Sequence, residues 1–256
     1  MPIVKVCFTP ALYPLYAQDE AITVVVDILR ATTAICTAFE YGIDYVIPVP
    51  HVEDTYFYKN EDNVIIAAER GGEIVEGFEF GNSPLSYMRP DIQGKKLVIT
   101  TTNGTQAIEA AKDCPYILIG SFVNFSALMQ ALKGLNKDVM VLCAGWKNRF
   151  NLEDTLFAGA VVEDLKNAGY SYENDSDAAI ASLSLYQAAK SDLNAFLLES
   201  SHRNRLARLN LQEDIDYCLS FDKTNAVPCF IKGQLINATL HGGIENLYAK
   251  QLENPG

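Results

Sequence analysis

The chain contains one tryptophan, three histidines and no Cys-x-x-Cys pair among its six cysteines. Without paired cysteines the usual structural zinc sites are excluded. Cys7, Cys36, Cys114, Cys143, Cys218 and Cys229 sit mostly in apolar runs, the pattern of buried free thiols in a reducing compartment. His51, His202 and His241 have no metal-ligand spacing and read as isolated surface or core residues. No run of Lys and Arg offsets the formal net charge of −12, which argues against nucleic acid and anionic membranes as partners. No apolar stretch nears the roughly 18 residues that span a bilayer. A signal peptide's basic start and apolar core are also missing, so the expected location is the cytoplasm. Walker A, Gly-x-Ser-x-Gly and Gly-x-Gly-x-x-Gly patterns are absent, which removes the P-loop, serine-hydrolase and dinucleotide fingerprints.

What is present is alternation. Short β-branched runs at residues 4–8, 22–26, 45–49, 64–68, 97–101, 116–119 and 139–143 read as strands. Helical patterns at 31–41, 105–112, 126–133 and 152–168 fall between them, two of them stopped by Gly42 and Gly169. Residues 177–219 read as consecutive helices after a short polar stretch at 170–177, and 227–236 as a last strand or hairpin around Gly233. The expectation is a single domain over 1–256: a three-layer α/β/α fold with a largely parallel or mixed sheet and a helical C-terminal section.

Polar clusters close several of these strands. In a parallel sheet the carboxyl ends form the ligand crevice, so the clusters are expected to converge. Asp27-Ile28-Leu29-Arg30-Ala31-Thr32-Thr33 follows the run of valines at 24–26. A carboxylate there needs a cation or hydrogen bonds, and a cap paired with Arg30 is the alternative use. Glu69-Arg70-Gly71-Gly72 repeats the acid-plus-arginine pattern, which suits Mg²⁺ on the acids and phosphate oxygens on the arginines. Gly81-Asn82-Ser83-Pro84 looks like a helix start whose free N–H groups can meet an anion. Thr101-Thr102-Asn103-Gly104-Thr105 and Gly120-Ser121 can cradle an oxyanion. Cys143-Ala144-Gly145 leads to Glu153-Asp154, which serve either the helix dipole or a metal.

Taken in this order, together with Asp216-Tyr217-Cys218-Leu219, Asp222 and Val227-Pro228, these motifs resemble the 2-phosphosulfolactate phosphatase family over essentially the whole chain. The resemblance implies a Mg²⁺-dependent hydrolase that removes phosphate from 2-phospho-3-sulfolactate, a step of coenzyme M biosynthesis. On it, Asp27, Glu69, Glu153 and Asp154 are the candidate metal ligands. Asp27, Arg30, Arg70 and Asn103 are the candidate catalytic groups. Asn82, Ser83, Thr102, Gly104, Thr105 and Ser121 are the candidate substrate contacts. Water attack and a phosphoenzyme on Asp27 both stay open, although Leu29 stands where an aspartyl-phosphatase carries its second Asp. Cys143 is a further nucleophile to consider. The competing functions are a phosphatase for another small phosphorylated acid or sugar, a silent anion binder, and a structural module whose loops are all caps. A homodimer is the default assembly.

Overall fold

Ile22–Val26 (β2) is buried along its whole length. Val24 and Val26 enter one hydrophobic core, and Val25 enters another on the opposite face. That is the period-two alternation of a strand covered on both sides. The computed structural model describes residues 1–16, 21–172 and 176–253. Part of the 170–177 polar stretch, residues 173–175, lies outside the described residues.

The other strands are Ile3–Cys7 (β1), Tyr45–Pro48 (β3), Val64–Arg70 (β4), Glu73–Ile74 (β5), Lys96–Thr100 (β6), Tyr116–Gly120 (β7), Val139–Cys143 (β8), Ser171–Tyr172 (β9), Pro228–Ile231 (β10) and Gln234–Asn237 (β11). Among the described residues they form one mixed sheet in the order β5-β4-β6-β3-β11-β10-β7-β2-β8-β1-β9. Strands β4, β6 and β3 are parallel to one another, as are β7, β2, β8, β1 and β9. The β10–β11 hairpin lies between these blocks and is antiparallel to both neighbours, through Leu235 opposite Val46 and Cys229 opposite Leu118. Three antiparallel steps therefore separate β3 from β7, and the two blocks run in opposite senses along the sheet.

Helices cover both faces of the second block, which gives the three expected layers. Ala31–Glu40 (α1) and Gly104–Ala111 (α2) pack on one side through Ala34, Ile35, Phe39, Ala107 and Ile108. Phe125–Leu135 (α3) and Leu152–Asn167 (α4) pack on the other through Leu128, Leu132, Leu156 and Val161. The helical C-terminal section comprises Asp177–Ala189 (α5), Leu193–Phe196 (α6), Ser201–Arg208 (α7), Gln212–Cys218 (α8) and Ile244–Glu253 (α9). None of the described helices is long and apolar enough to cross a membrane.

The two blocks communicate through the starts of α1 and α2. A Cβ placed on Gly104 would stand 2.6 Å from the Cβ of Ala31 and 3.0 Å from Oδ2 of Asp27. Glycine is needed at Gly104 because these two helix starts abut. Their contact brings the strand-end loops of opposite-running blocks to one place, which a uniformly parallel sheet would have achieved differently.

Candidate active site

Asp27 leaves β2 with its backbone tied to Thr32: its N–H donates to Thr32 Oγ1 at 3.0 Å, and its carbonyl accepts from Thr32 N at 3.1 Å. The carboxyl is buried and accepts from the Ala31 N–H. Burial first, then the charges of Asp154, Glu69 and Glu153, push its pKa well above the ordinary aspartate value. Arg30 does not pair with Asp27. Its Nη1 donates to Asp214 Oδ2 on α8 at 2.6 Å and its Nη2 to the Gly72 carbonyl at 2.6 Å, while its buried Nε has no partner among the described residues.

Glu69, at the end of β4, is the most heavily hydrogen-bonded acid of the site. Oε1 accepts from Gly72 N at 2.6 Å and Thr102 Oγ1 at 3.1 Å, and Oε2 from Thr102 N at 3.1 Å and Asn82 Nδ2 at 3.3 Å. These four donors match the lone-pair capacity of a carboxylate. Glu69 thereby holds three loops together. Arg70 supports the same region, donating to the Glu69 carbonyl and to Thr100 Oγ1.

Glu153 and Asp154 are fully buried in the first turn of α4. Asp154 accepts from Ile28 N at 2.9 Å, Gly145 N at 3.0 Å and Asn151 Nδ2 at 2.8 Å, so it binds the β2–α1 loop to the β8–α4 loop. Burial and the neighbouring Glu153 raise its pKa to about 7. Glu153 lies 2.6 Å from His202 Nδ1 and accepts from Asn151 and Ser200. Burial opposes its ionisation, but the hydrogen bond and charge of His202 hold it below the usual range.

Asp27, Arg30, Glu69, Asn82 and Asn103 line one small cavity. Thr102 holds Glu69, Gly104 adjoins Asp27, and Asn103 Oδ1 accepts from Lys147 N at 3.1 Å. Several expectations change. Ser83-Pro84 opens a single 3₁₀ turn, Pro84–Tyr87, rather than an anion-binding helix start. The Ser83 hydroxyl instead donates to Asp214 Oδ1 at 2.7 Å. Thr105 Oγ1 donates back to the Thr101 carbonyl, and the buried Ser121 hydroxyl pairs with Thr33 Oγ1 at 2.7 Å. The Cys143 thiol is raised well above its ordinary value by burial and by Asp154, which leaves it without nucleophilic thiolate character. His202 is no isolated histidine: it lines the cavity with Trp146 and Leu206. Neither His202 nor Asp214 carries a local motif that marks it.

The donor set suits a hard dication by charge and atom type. All four acids are buried oxygen donors, Asp27 has no cationic partner among the described residues, and Asn82 Oδ1 is buried without one. Among the described residues, however, no three His, Cys, Asp or Glu side chains stand together as a metal cluster. A cation bound here would draw on one or two of these carboxylates rather than on all four.

A family model described as 2-phosphosulpholactate phosphatase matches residues 7–233. A protein of Thermotoga petrophila named "Probable 2-phosphosulfolactate phosphatase" is 40% identical over 83% of this chain and 90% of its own length. Proteins of the same name from a Synechocystis species (36% identical, 86% and 92% covered) and Gloeobacter violaceus (37%, 88% and 94%) are similar over a comparable span. With that coverage, and with Asp27, Arg30, Glu69, Asn82 and Asn103 of its strand-end loops gathered at one cavity, the chain belongs to the 2-phosphosulpholactate phosphatase family.

Proposed function

We propose that the chain hydrolyses the phosphate monoester of 2-phospho-3-sulfolactate, giving sulfolactate and phosphate, with Mg²⁺ bound beside Asp27. The observation that carries the reading is the cavity itself. An ionisable Asp27 without a cation, a buried Arg30 Nε without an acceptor and a buried Asn82 Oδ1 without a donor line the same small space. Each lacks what a metal–phosphate pair brings. The relatives' printed names supply the substrate.

Asp27 and Asn82 Oδ1 are the groups that would hold Mg²⁺, with Glu69, whose oxygens already accept four hydrogen bonds, fixing the loop that carries Asn82. Bound there, the ion would supply Lewis-acid polarisation of the phosphoryl group. Arg30 is clamped by Asp214 and the Gly72 carbonyl, so its free Nε meets a phosphoryl oxygen with little further ordering. The N–H groups at the start of α2, beside Asn103 and Gly104, add neutral donors for the same anion. Glu153 and Asp154 position the loops that carry Asp27 and Trp146. Hydrolysis places the water oxygen on phosphorus and returns a proton to the C2 oxygen of sulfolactate. The net charge of −12 repels such a substrate, so these local donors and the cation must overcome the surrounding field.

The test is phosphate release from 2-phospho-3-sulfolactate, with Mg²⁺ and with chelator, beside a panel of phosphorylated hydroxy acids and sugars. Mg²⁺-stimulated release that favours the sulfonated ester is expected. Equal rates in chelator, or no release from any ester, overturn the reading.

A further inference from the structure

A second cavity of about 370 Å³ adjoins the first, and Trp146 and His202 line both. Two arginines line it, Arg149 and Arg205. Arg205, on α7, lies with its Cζ 3.8 Å over the Trp146 ring. Its Nη2 is buried without a partner, and no carboxylate among the described residues forms an ion pair with either arginine. Stacking occupies the face of a guanidinium and leaves its edge donors free. A buried charged donor left unpaired is costly, and that cost is recovered when an anion arrives. The one acid lining the cavity, Glu153, faces His202 at 2.6 Å and acts on Arg205 only through its charge, without an ion pair between them.

Arg149 is exposed at the rim. It closes a tight turn in which Trp146 and Arg149 exchange backbone hydrogen bonds of 2.9 and 3.0 Å. Gly145 opens that turn at φ +63°, and a Cβ there would stand 2.3 Å from the Arg149 carbonyl. The turn thus fixes the indole that separates the two cavities. The other neighbouring cavity, about 310 Å³ beside Asn103, offers Lys147 but also the acid Glu109, and it holds no buried cation.

We propose that the cavity beside Trp146 receives the second anion of the substrate, its sulfonate, with Arg205 and Arg149 as specificity-determining residues. This rests on the reading that a phosphorylated sulfolactate is the substrate. The ester oxygen and the sulfonate sit on adjacent carbons, so their anions must lodge in adjoining pockets. A sulfonate is permanently ionised and presents three equivalent acceptor oxygens, which the planar donor edge of arginine suits better than a point charge does.

The experiment compares kcat/KM for 2-phospho-3-sulfolactate and for 2-phospholactate, which lacks the sulfonate, in wild type, Arg205→Met, Arg205→Lys and Arg149→Met. Arg205→Met is expected to lower kcat/KM for the sulfonated ester about tenfold more than for its analogue, mostly through KM, as loss of a charge-assisted hydrogen bond does. Arg205→Lys should recover part of that difference, and Arg149→Met should show a smaller one. Equal losses on both esters, or none, overturn the proposal. Calorimetric titration of sulfolactate into wild type and Arg205→Met separates it from the phosphatase reading. If neither ester is hydrolysed, that reading fails, while binding that is lost in Arg205→Met still supports the subsite and equal binding refutes it.

Discussion

Arg30 and Asp214 stand 184 residues apart in the chain and 2.6 Å apart in the fold, both buried. Each has further work there. Asp214 also receives the Ser83 hydroxyl, and Arg30 also reaches the Gly72 carbonyl. Removing one partner of a buried ion pair leaves the other charge uncompensated, which costs about 3–5 kcal/mol. Asp214→Ala is therefore expected to lower the unfolding free energy by about that amount in urea titrations. It should also raise KM for the phosphorylated substrate, because Arg30 loses its anchor. Wild-type values of both would remove Asp214 from the site.

Glu69 accepts four hydrogen bonds from three loops. In Glu69→Gln an amide NH₂ faces donors on one side, so a destabilisation of about 1–3 kcal/mol is expected. The Mg²⁺ concentration for half-maximal activity should rise together with it. A variant as stable as wild type would show that the loops are held by other contacts.

The pH dependence follows from Asp27 and Asp154, whose pKa values are raised on folding. The unfolded chain releases these protons first, near the ordinary value of 3.8. Without metal, the folded state therefore loses stability as pH rises above that value. For Asp154 the loss is complete above about 7. Asp27→Asn removes one of the two costs. Its melting temperature in chelator should match wild type near pH 4 and exceed it by a growing margin toward pH 7. Added Mg²⁺ should raise the wild-type value and leave the variant unmoved, and turnover should fall at least a hundredfold, on the order expected for loss of a main electrostatic group. A margin that shrinks with pH contradicts the assignment.

Gly104→Ala replaces the most flexible residue by the best helix former at the first position of α2, which by propensity alone would favour the helix. The predicted sign is opposite, because the new methyl meets Ala31 and Asp27 at 2.6 and 3.0 Å. Differential scanning calorimetry and kcat should both report a loss.

Much of this arrangement is legible in the residues alone. The bounds of β2 and β8 match their apolar runs: β2 stops at Asp27, a charge that a covered sheet does not accommodate, and β8 just before Ala144-Gly145, where Gly145 turns the chain at φ +63°. Asp27 and Glu69 stand out as acids that end such runs. His202 and Asp214 lie on α7 and α8, where polar residues are ordinary, and their importance comes from partners 49 and 184 residues away. Ser83-Pro84 misleads because a helix-start signature also fits one isolated 3₁₀ turn. The hairpin around Gly233 is visible as a hairpin. Its pairing with β3 and β7 is not, since that depends on two edges formed far earlier in the chain.

That hairpin has a consequence for how the molecule is made. Residues 228–237 join the block that supplies Glu69 and Asn103 to the block that supplies Asp27. On a ribosome, both blocks are synthesised long before the strands that unite them emerge, so the sheet is continuous only when nearly all of the chain is available. Chains ending before residue 228 leave the edges of β3 and β7 without the hairpin that pairs with them, the kind of edge that templates association with other chains. Catalytic competence is thus a late event of synthesis, gated by a segment that supplies none of the acids of the site.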